Sequence, residues 1–241
     1  MSMHVKNKFF KQLSGALTSR RGGLEKEGLS PANWQEQAQQ QREKIFSKTN
    51  DEDLVQALTH HLTNQSAQVK HVPNKTAIYD ELVTIVTTWN KAQSGTDQKA
   101  NRIVSGKNPF INSLFENQNS DLTLNPWQGQ ASLQEDGLIA LATASAAASE
   151  TGTLFLTSGN ENPTPLNFVT DSHVILLNQA DIFASYEQAY HHALAQNKSH
   201  SNTMPRTINM ISGPSRTADI EQTLTLGAHG PIELVVLIYK T

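Results

Sequence analysis

The stretch Ile211-Ser212-Gly213-Pro214-Ser215-Arg216-Thr217-Ala218-Asp219-Ile220-Glu221 decides how the rest of the chain is read. Thr207 to Ile211 lead into it as an apolar strand, and Arg216 to Leu226 leave it with spacing that predicts a helix. Gly213 permits a tight turn between the two, and Pro214 fixes its φ angle. Ser215 or Thr217 can cap the helix. A strand–turn–helix corner leaves backbone N–H groups free at the positive end of a helix dipole. With the hydroxyls of Ser212, Ser215 and Thr217 and the Arg216 guanidinium, it predicts a site for a small carboxylate or phosphate. The corner closes a strand at its carboxyl end, where open α/β sheets hold ligands. A capped corner without ligand accounts for the same residues. Asp219 and Glu221 suit the start of a helix through the dipole, with a grip on a partner or a cation as the other reading.

Working outward, strands and helices alternate from residue 50 to the end. Helices are predicted from Asn50 through Leu62, over Ala77–Lys91, Pro109–Glu116, Ser185–Gln196 and Arg216–Leu226, with a helical turn or short helix at Ala144–Ser149. Strands are predicted at Ala67–Val72, Arg102–Ser105, Leu122–Leu124, Gly137–Ala142, Thr153–Thr157, His173–Leu177, Thr207–Ile211 and Glu233–Tyr239. This alternation predicts an α/β fold with a mainly parallel sheet flanked by helices. Residues 1–48 differ: they are basic and Gln-rich, with Val5, Phe9, Leu13 and Leu17 at helical spacing and a polar helix from Trp34 to Ser47. They read as an N-terminal helical extension, and residues 49–241 as the α/β domain.

The composition narrows the function classes. A net charge of −3 over 241 residues argues against nucleic acid as a partner. The chain has no cysteine, so it can carry neither a disulfide nor a Cys-ligated iron–sulfur cluster. No apolar run approaches the ~18 residues of a membrane span, and Met1–Phe10 lacks the apolar core of a signal peptide; a cytoplasmic address is the expectation. His60-His61 and His191-His192 are helical neighbours pointing about 100° apart, so neither pair makes a metal site, and no metal is expected. His173 opens a strand and reads as structural.

Three segments together resemble a known family. Ser212-Gly-Pro-Ser-Arg-Thr-Ala-Asp-Ile-Glu221 followed by Leu226-Gly-Ala-His-Gly-Pro231 and an apolar strand looks like the C-terminal signature of the lactate-utilisation protein C (LUD-domain) family. Ser149-Glu-Thr-Gly-Thr-Leu154 and Asp171-Ser-His-Val174 match in order and spacing. One departure is that Thr143–Ala148 lacks the acid of a Gly-Ala-Asp-like stretch that many relatives carry there. The resemblance spans roughly residues 50–241. It implies a fold similar to the sugar-isomerase and CoA-transferase-like (NagB/RpiA) proteins. It also implies a part in oxidising L-lactate to pyruvate beside two iron–sulfur partner proteins, which would hold the clusters.

Two more groups complete the expected cleft. Glu150, before the turn Thr151-Gly152-Thr153, could serve as an acid–base or nucleophilic group, with Thr151 and Thr153 binding a polar ligand; a solvated or helix-capping Glu explains it as well. His229, before Gly230-Pro231, could donate a hydrogen bond or shuttle a proton in the same cleft, or could satisfy turn carbonyls. Three functions follow: a lactate-utilisation subunit with a small-anion cleft formed by Ser212–Glu221, Glu150–Thr153 and His229; a stand-alone CoA-transferase-like or isomerase-like enzyme using Glu150; and a non-catalytic adaptor docking through its N-terminal helices.

Overall fold

A computed structural model describes residues 50–92, 102–116, 122–129, 138–201, 204–218, 224–226 and 229–240. The helices expected before residue 48 lie outside these residues. The first described element, α1 (Asp51–Asn64), begins where the sequence says it should: the Asn50 carboxamide oxygen accepts the Asp53 N–H at 2.8 Å, and three acids fill the first turn. It buries Val55, Leu58 and Leu62. Next come β1 (Gln68–Val72) and α2 (Lys75–Ala92), which buries Ile78, Leu82, Ile85, Val86 and Trp89. Then follow β2 (Arg102–Ser105), α3 (Pro109–Phe115), β3 (Thr123–Pro126) and β4 (Ile139–Thr143).

The main sheet, among the described residues, has six strands in the order β1-β12-β7-β4-β2-β3, every neighbouring pair parallel. Its central members, β4, β7 (Ser172–Asn178) and β12 (Glu233–Tyr239), are buried almost end to end. Strands covered on both faces require such continuous apolar runs. The α/β class and the mainly parallel sheet are therefore as expected from the sequence.

The two faces are covered differently. Ile103, Ile139, Leu141, Val174, Leu176, Val235 and Leu237 pack against α2 and α3. On the opposite face, Ala142, Ile175, Leu177, Val236 and Ile238 pack against α1 and a second sheet. That sheet, in the order β8-β5-β6-β9, is made of β5 (Ala146–Ala148), β6 (Thr153–Thr157), β8 (Ile182–Phe183) and β9 (Ile208–Ile211). Its outer face carries α5 (Tyr186–Ser201), and the short α4 (Leu166–Val169) precedes β7.

Two expected elements are corrected. Ala144–Ser149 is neither a helical turn nor a short helix but contains β5. The chain leaves the main sheet at Ala144, whose N–H still reaches Leu176 O, and enters the second sheet at Ser145, whose N–H reaches Phe155 O. Ala147 faces the core between the sheets, while Ala146 and Ala148 face Ala189 and Ala193 of α5. Alanine is the best helix former, yet here its small side chain lets a sheet and a helix approach from opposite sides, and tertiary packing overrides propensity. The second correction falls on Arg216–Leu226, which holds an antiparallel pair, β10 (Arg216–Ala218) and β11 (Leu224–Leu226), with Arg216 opposite Leu226. The alternation Thr223-Leu224-Thr225-Leu226 is a period-two pattern with β-branched residues, and it outweighs the looser helical spacing.

Candidate functional site

The β9 corner lands at the end of the sheet opposite to the one expected. β9 runs antiparallel to β6, with Leu154 opposite Ile211 and Thr157 opposite Ile208. Its carboxyl end is therefore carried to the amino edge of the main sheet, beside the first residues of β7 and β12. There Ser212, Gly213, Ser215 and His229 line one cavity of about 260 Å³ together with His173 and Leu234. The Ser215 N–H donates to Pro231 O at 2.8 Å, tying the corner to the loop that carries His229. The corner opens into the strand Arg216–Ala218, so the helix start expected there from the sequence, and the anion affinity it was to supply, are not formed.

Other predicted residues are placed elsewhere. Arg216 is exposed, and its guanidinium donates to the Ser66 hydroxyl just beyond α1. Thr217 lies on β10, and Asp219 lies outside the described residues. Glu150 Oε1 accepts the backbone N–H of Tyr186, the first residue of α5, at 2.7 Å. Thr151 and Thr153 join their hydroxyls at 2.8 Å. Gly152, at φ +65°, presses on α1: a β-carbon there would lie 2.6 Å from His61 Cβ. Gly213 presses on the same helix end, where an added β-carbon would meet Gln65 O at 2.7 Å. The Glu150–Thr153 loop and the Ser212 corner thus flank the last turn of α1.

The cavity floor was not legible in the sequence. His173 is 1% exposed, and neither ring nitrogen has a hydrogen-bond partner among the described residues. Asn167, 6% exposed, leaves its Nδ2 likewise without one. Each buried polar group left unpaired costs about 1–3 kcal/mol. Burial alone pulls the His173 pKa down to about 4, so the imidazole is neutral at pH 7 and offers one donor and one acceptor. His173 lies between Leu234 of β12 and Ala140 of β4 in the sheet. The cavity lining includes no Asp, Glu, Lys or Arg among the described residues.

A second polar cavity, about 310 Å³, opens at the carboxyl edge. The connection from β2 runs to β3 on one side, while β4 leads to β7 on the other, and ligand crevices form at such reversals in strand order. Thr143, Ser145, Thr157 and Glu161 are among its walls. Asn108 caps α3 by accepting the Ile111 N–H at 3.1 Å and donates to Thr143 Oγ1 at 3.0 Å. Asn162 pairs with the backbone of Thr143 on both sides, through Oδ1 at 3.3 Å and Nδ2 at 2.9 Å. The backbone N–H groups of Thr143, Ala144, Ser145, Ser158 and Gly159 all donate to protein acceptors, so this rim is not a cradle of free amides. Among the described residues, no group of three or more His, Cys, Asp or Glu gathers in a way that could hold a metal ion, and no helix is long and apolar enough to cross a membrane.

A parallel six-stranded sheet flanked by helices, with a smaller mixed sheet packed on one face and a cavity at each edge, defines an α/β domain. The chain belongs to the LUD-domain family, whose model matches residues 55–239. It is 25% identical to Lactate utilization protein C 1 of Bacillus mycoides over 99% of this chain and 98% of that protein. It is 42% identical to the uncharacterized protein NMB1437 of Neisseria meningitidis, over 36% of each chain. A crystal structure of a DUF162 family protein from Deinococcus radiodurans aligns with a TM-score of 0.55 and 14% identity, covering 79% of this chain and 99% of that one; it speaks to the fold.

Proposed function

We propose that this chain serves lactate utilisation as a subunit acting beside two iron–sulfur proteins in the oxidation of L-lactate to pyruvate, and that its amino-edge cavity takes a small carboxylate. The observation that carries the reading is the convergence of Ser212–Ser215 and His229–Pro231, two parts of the signature stretch, on one cavity. The name of the Bacillus mycoides relative, matched over nearly its full length, supports the pathway. Lactate gives up two electrons and two protons on becoming pyruvate. A chain without cysteine can hold no Cys-ligated cluster, so on this reading the electrons go to clusters in the partners and the protons to solvent.

The test is growth on L-lactate in a host lacking its own protein of this family, with the full-length chain supplied. Restored growth, lost with Ser215→Tyr, which fills the cavity mouth, supports the reading; growth that is never restored, or is indifferent to Ser215→Tyr, overturns it. Co-purification with the two iron–sulfur proteins tests the assembly, and repeating it without residues 1–48 separates docking through the extension from docking through the α/β domain.

A further inference from the structure

We infer that the carboxyl-edge cavity is a second binding site, and that it takes a small hydroxylated primary amine, with the ammonium on Glu161 and the hydroxyl on the Ser145–Thr157 pair. This site lies at the opposite edge of the main sheet from the Ser212 corner and does not rest on the lactate reading. Among the described residues, Glu161 is the one charged group lining it, with no Lys or Arg beside it. The rim amides of Thr143, Ala144, Ser145, Ser158 and Gly159 are all spent on protein acceptors. An anion would therefore meet a carboxylate with neither a cation nor a free amide to offset it. What the walls offer is acceptors and hydroxyls, and these suit a ligand that is rich in donors and positively charged.

Buried side chains hold these walls in place. Asn108, 3% exposed, caps α3 through its oxygen, while its Nδ2 donates to Thr143 Oγ1 at 3.0 Å and, more loosely, to Glu161 Oε2 at 3.4 Å. Gly106, just after β2, lies so close under the Glu161 loop that a β-carbon there would collide with Glu161 O. Asn162, 8% exposed, clamps the Thr143 backbone from both sides. From the second sheet, the Ser145 and Thr157 hydroxyls share one hydrogen at 2.8 Å, which leaves the pair one O–H to donate and lone pairs to accept. An ammonium brings three donors. Glu161 Oε1 takes one, and Thr143 Oγ1 and Ser158 Oγ each keep a lone pair after accepting Asn108 Nδ2 and the Thr207 N–H. A hydroxyl on the same ligand gives and takes hydrogen bonds as the Ser145–Thr157 pair does. Walls fixed in advance cost little further ordering when a ligand enters.

The experiment titrates the ¹⁵N-labelled full-length chain at pH 7 with ethanolamine, ethylammonium and ethylene glycol, following the backbone amides of Ser145 and Gly159. Ethanolamine is expected to shift both amides. It should bind about tenfold tighter than ethylene glycol, which lacks the charge, and about fivefold tighter than ethylammonium, which lacks the hydroxyl. Glu161→Gln is expected to bring ethanolamine down to the level of ethylene glycol, and Ser145→Ala to bring it down to that of ethylammonium. If no probe moves these amides, if ethylene glycol matches ethanolamine, if sodium chloride alone reproduces the shifts, or if Glu161→Gln binds ethanolamine like the wild type, the inference is overturned. The wild-type titration needs no variant to fold. Growth on lactate reads the amino-edge cavity and amine binding reads this one, so either reading can fail while the other stands.

Discussion

Glu150 Oε1 sits 2.7 Å from the backbone nitrogen of Tyr186, so the carboxylate of the Glu-Thr-Gly-Thr loop caps the first turn of α5 across 36 positions of sequence. A group engaged in this way satisfies one of the free N–H groups of the helix and meets its positive end. Glu150→Gln keeps an acceptor and is expected to cost less than about 1 kcal/mol, while Glu150→Ala costs about 1–2 kcal/mol. Urea denaturation reads both. A Gln variant that keeps full stability but loses lactate-dependent growth would instead assign the carboxylate a chemical role.

Gly152 and Gly129 both hold positive φ, at +65° and +69°, but among the described residues only Gly152 has a neighbour where a β-carbon would go. Gly129→Ala is expected to cost about 1–2 kcal/mol through backbone strain alone. Gly152→Ala adds a clash with His61 and is expected to cost more, about 3 kcal/mol or above. Equal losses in chemical denaturation would show that α1 can retreat from the loop.

His173 makes stability depend on pH. Its folded pKa, about 4, lies below the ordinary value of 6.5, so between these two the unfolded chain binds more protons. The stability this contributes is present in full above pH 6.5 and is lost as pH falls toward 4; the difference is about 3 kcal/mol. His173→Phe is expected to remove that share of the acid-side slope. An unchanged slope would show that the ring is hydrated in solution.

Leu156 is fully buried between the two sheets, in the cluster that also holds Leu58 and Leu62 of α1. Leu156→Ala is expected to cost about 2–5 kcal/mol. A loss near zero in urea denaturation would mean that the second sheet does not share the main core.

Residues whose pattern repeats locally were readable in advance. The stripe Ile78, Leu82, Ile85, Val86, Trp89 predicts α2, and the apolar run of β12 predicts a strand at its observed bounds. Ala146–Ala148 and Arg216–Leu226 were not, because small or alternating residues take their structure from the layers that meet them. The site divides in the same way. Ser212, Gly213, Ser215 and His229 line one cavity. The edge at which they meet depends on the direction of β9, which no local pattern encodes. His173 resembled an ordinary strand residue; only its missing partners mark it, and a sequence does not display them. The carboxyl-edge cavity depends on strand order and was equally invisible.

The last turn of α1 lies under two tight turns at once, with His61 against Gly152 and Gln65 against Gly213. Each contact is closer than a methyl group would tolerate, so the helix end works as a wedge. Sliding α1 along its axis by even a fraction of a turn would have to lift the Glu150 loop and the Ser212 corner together. The mouth of the amino-edge cavity is thus mechanically geared to the helix that begins at Asp51.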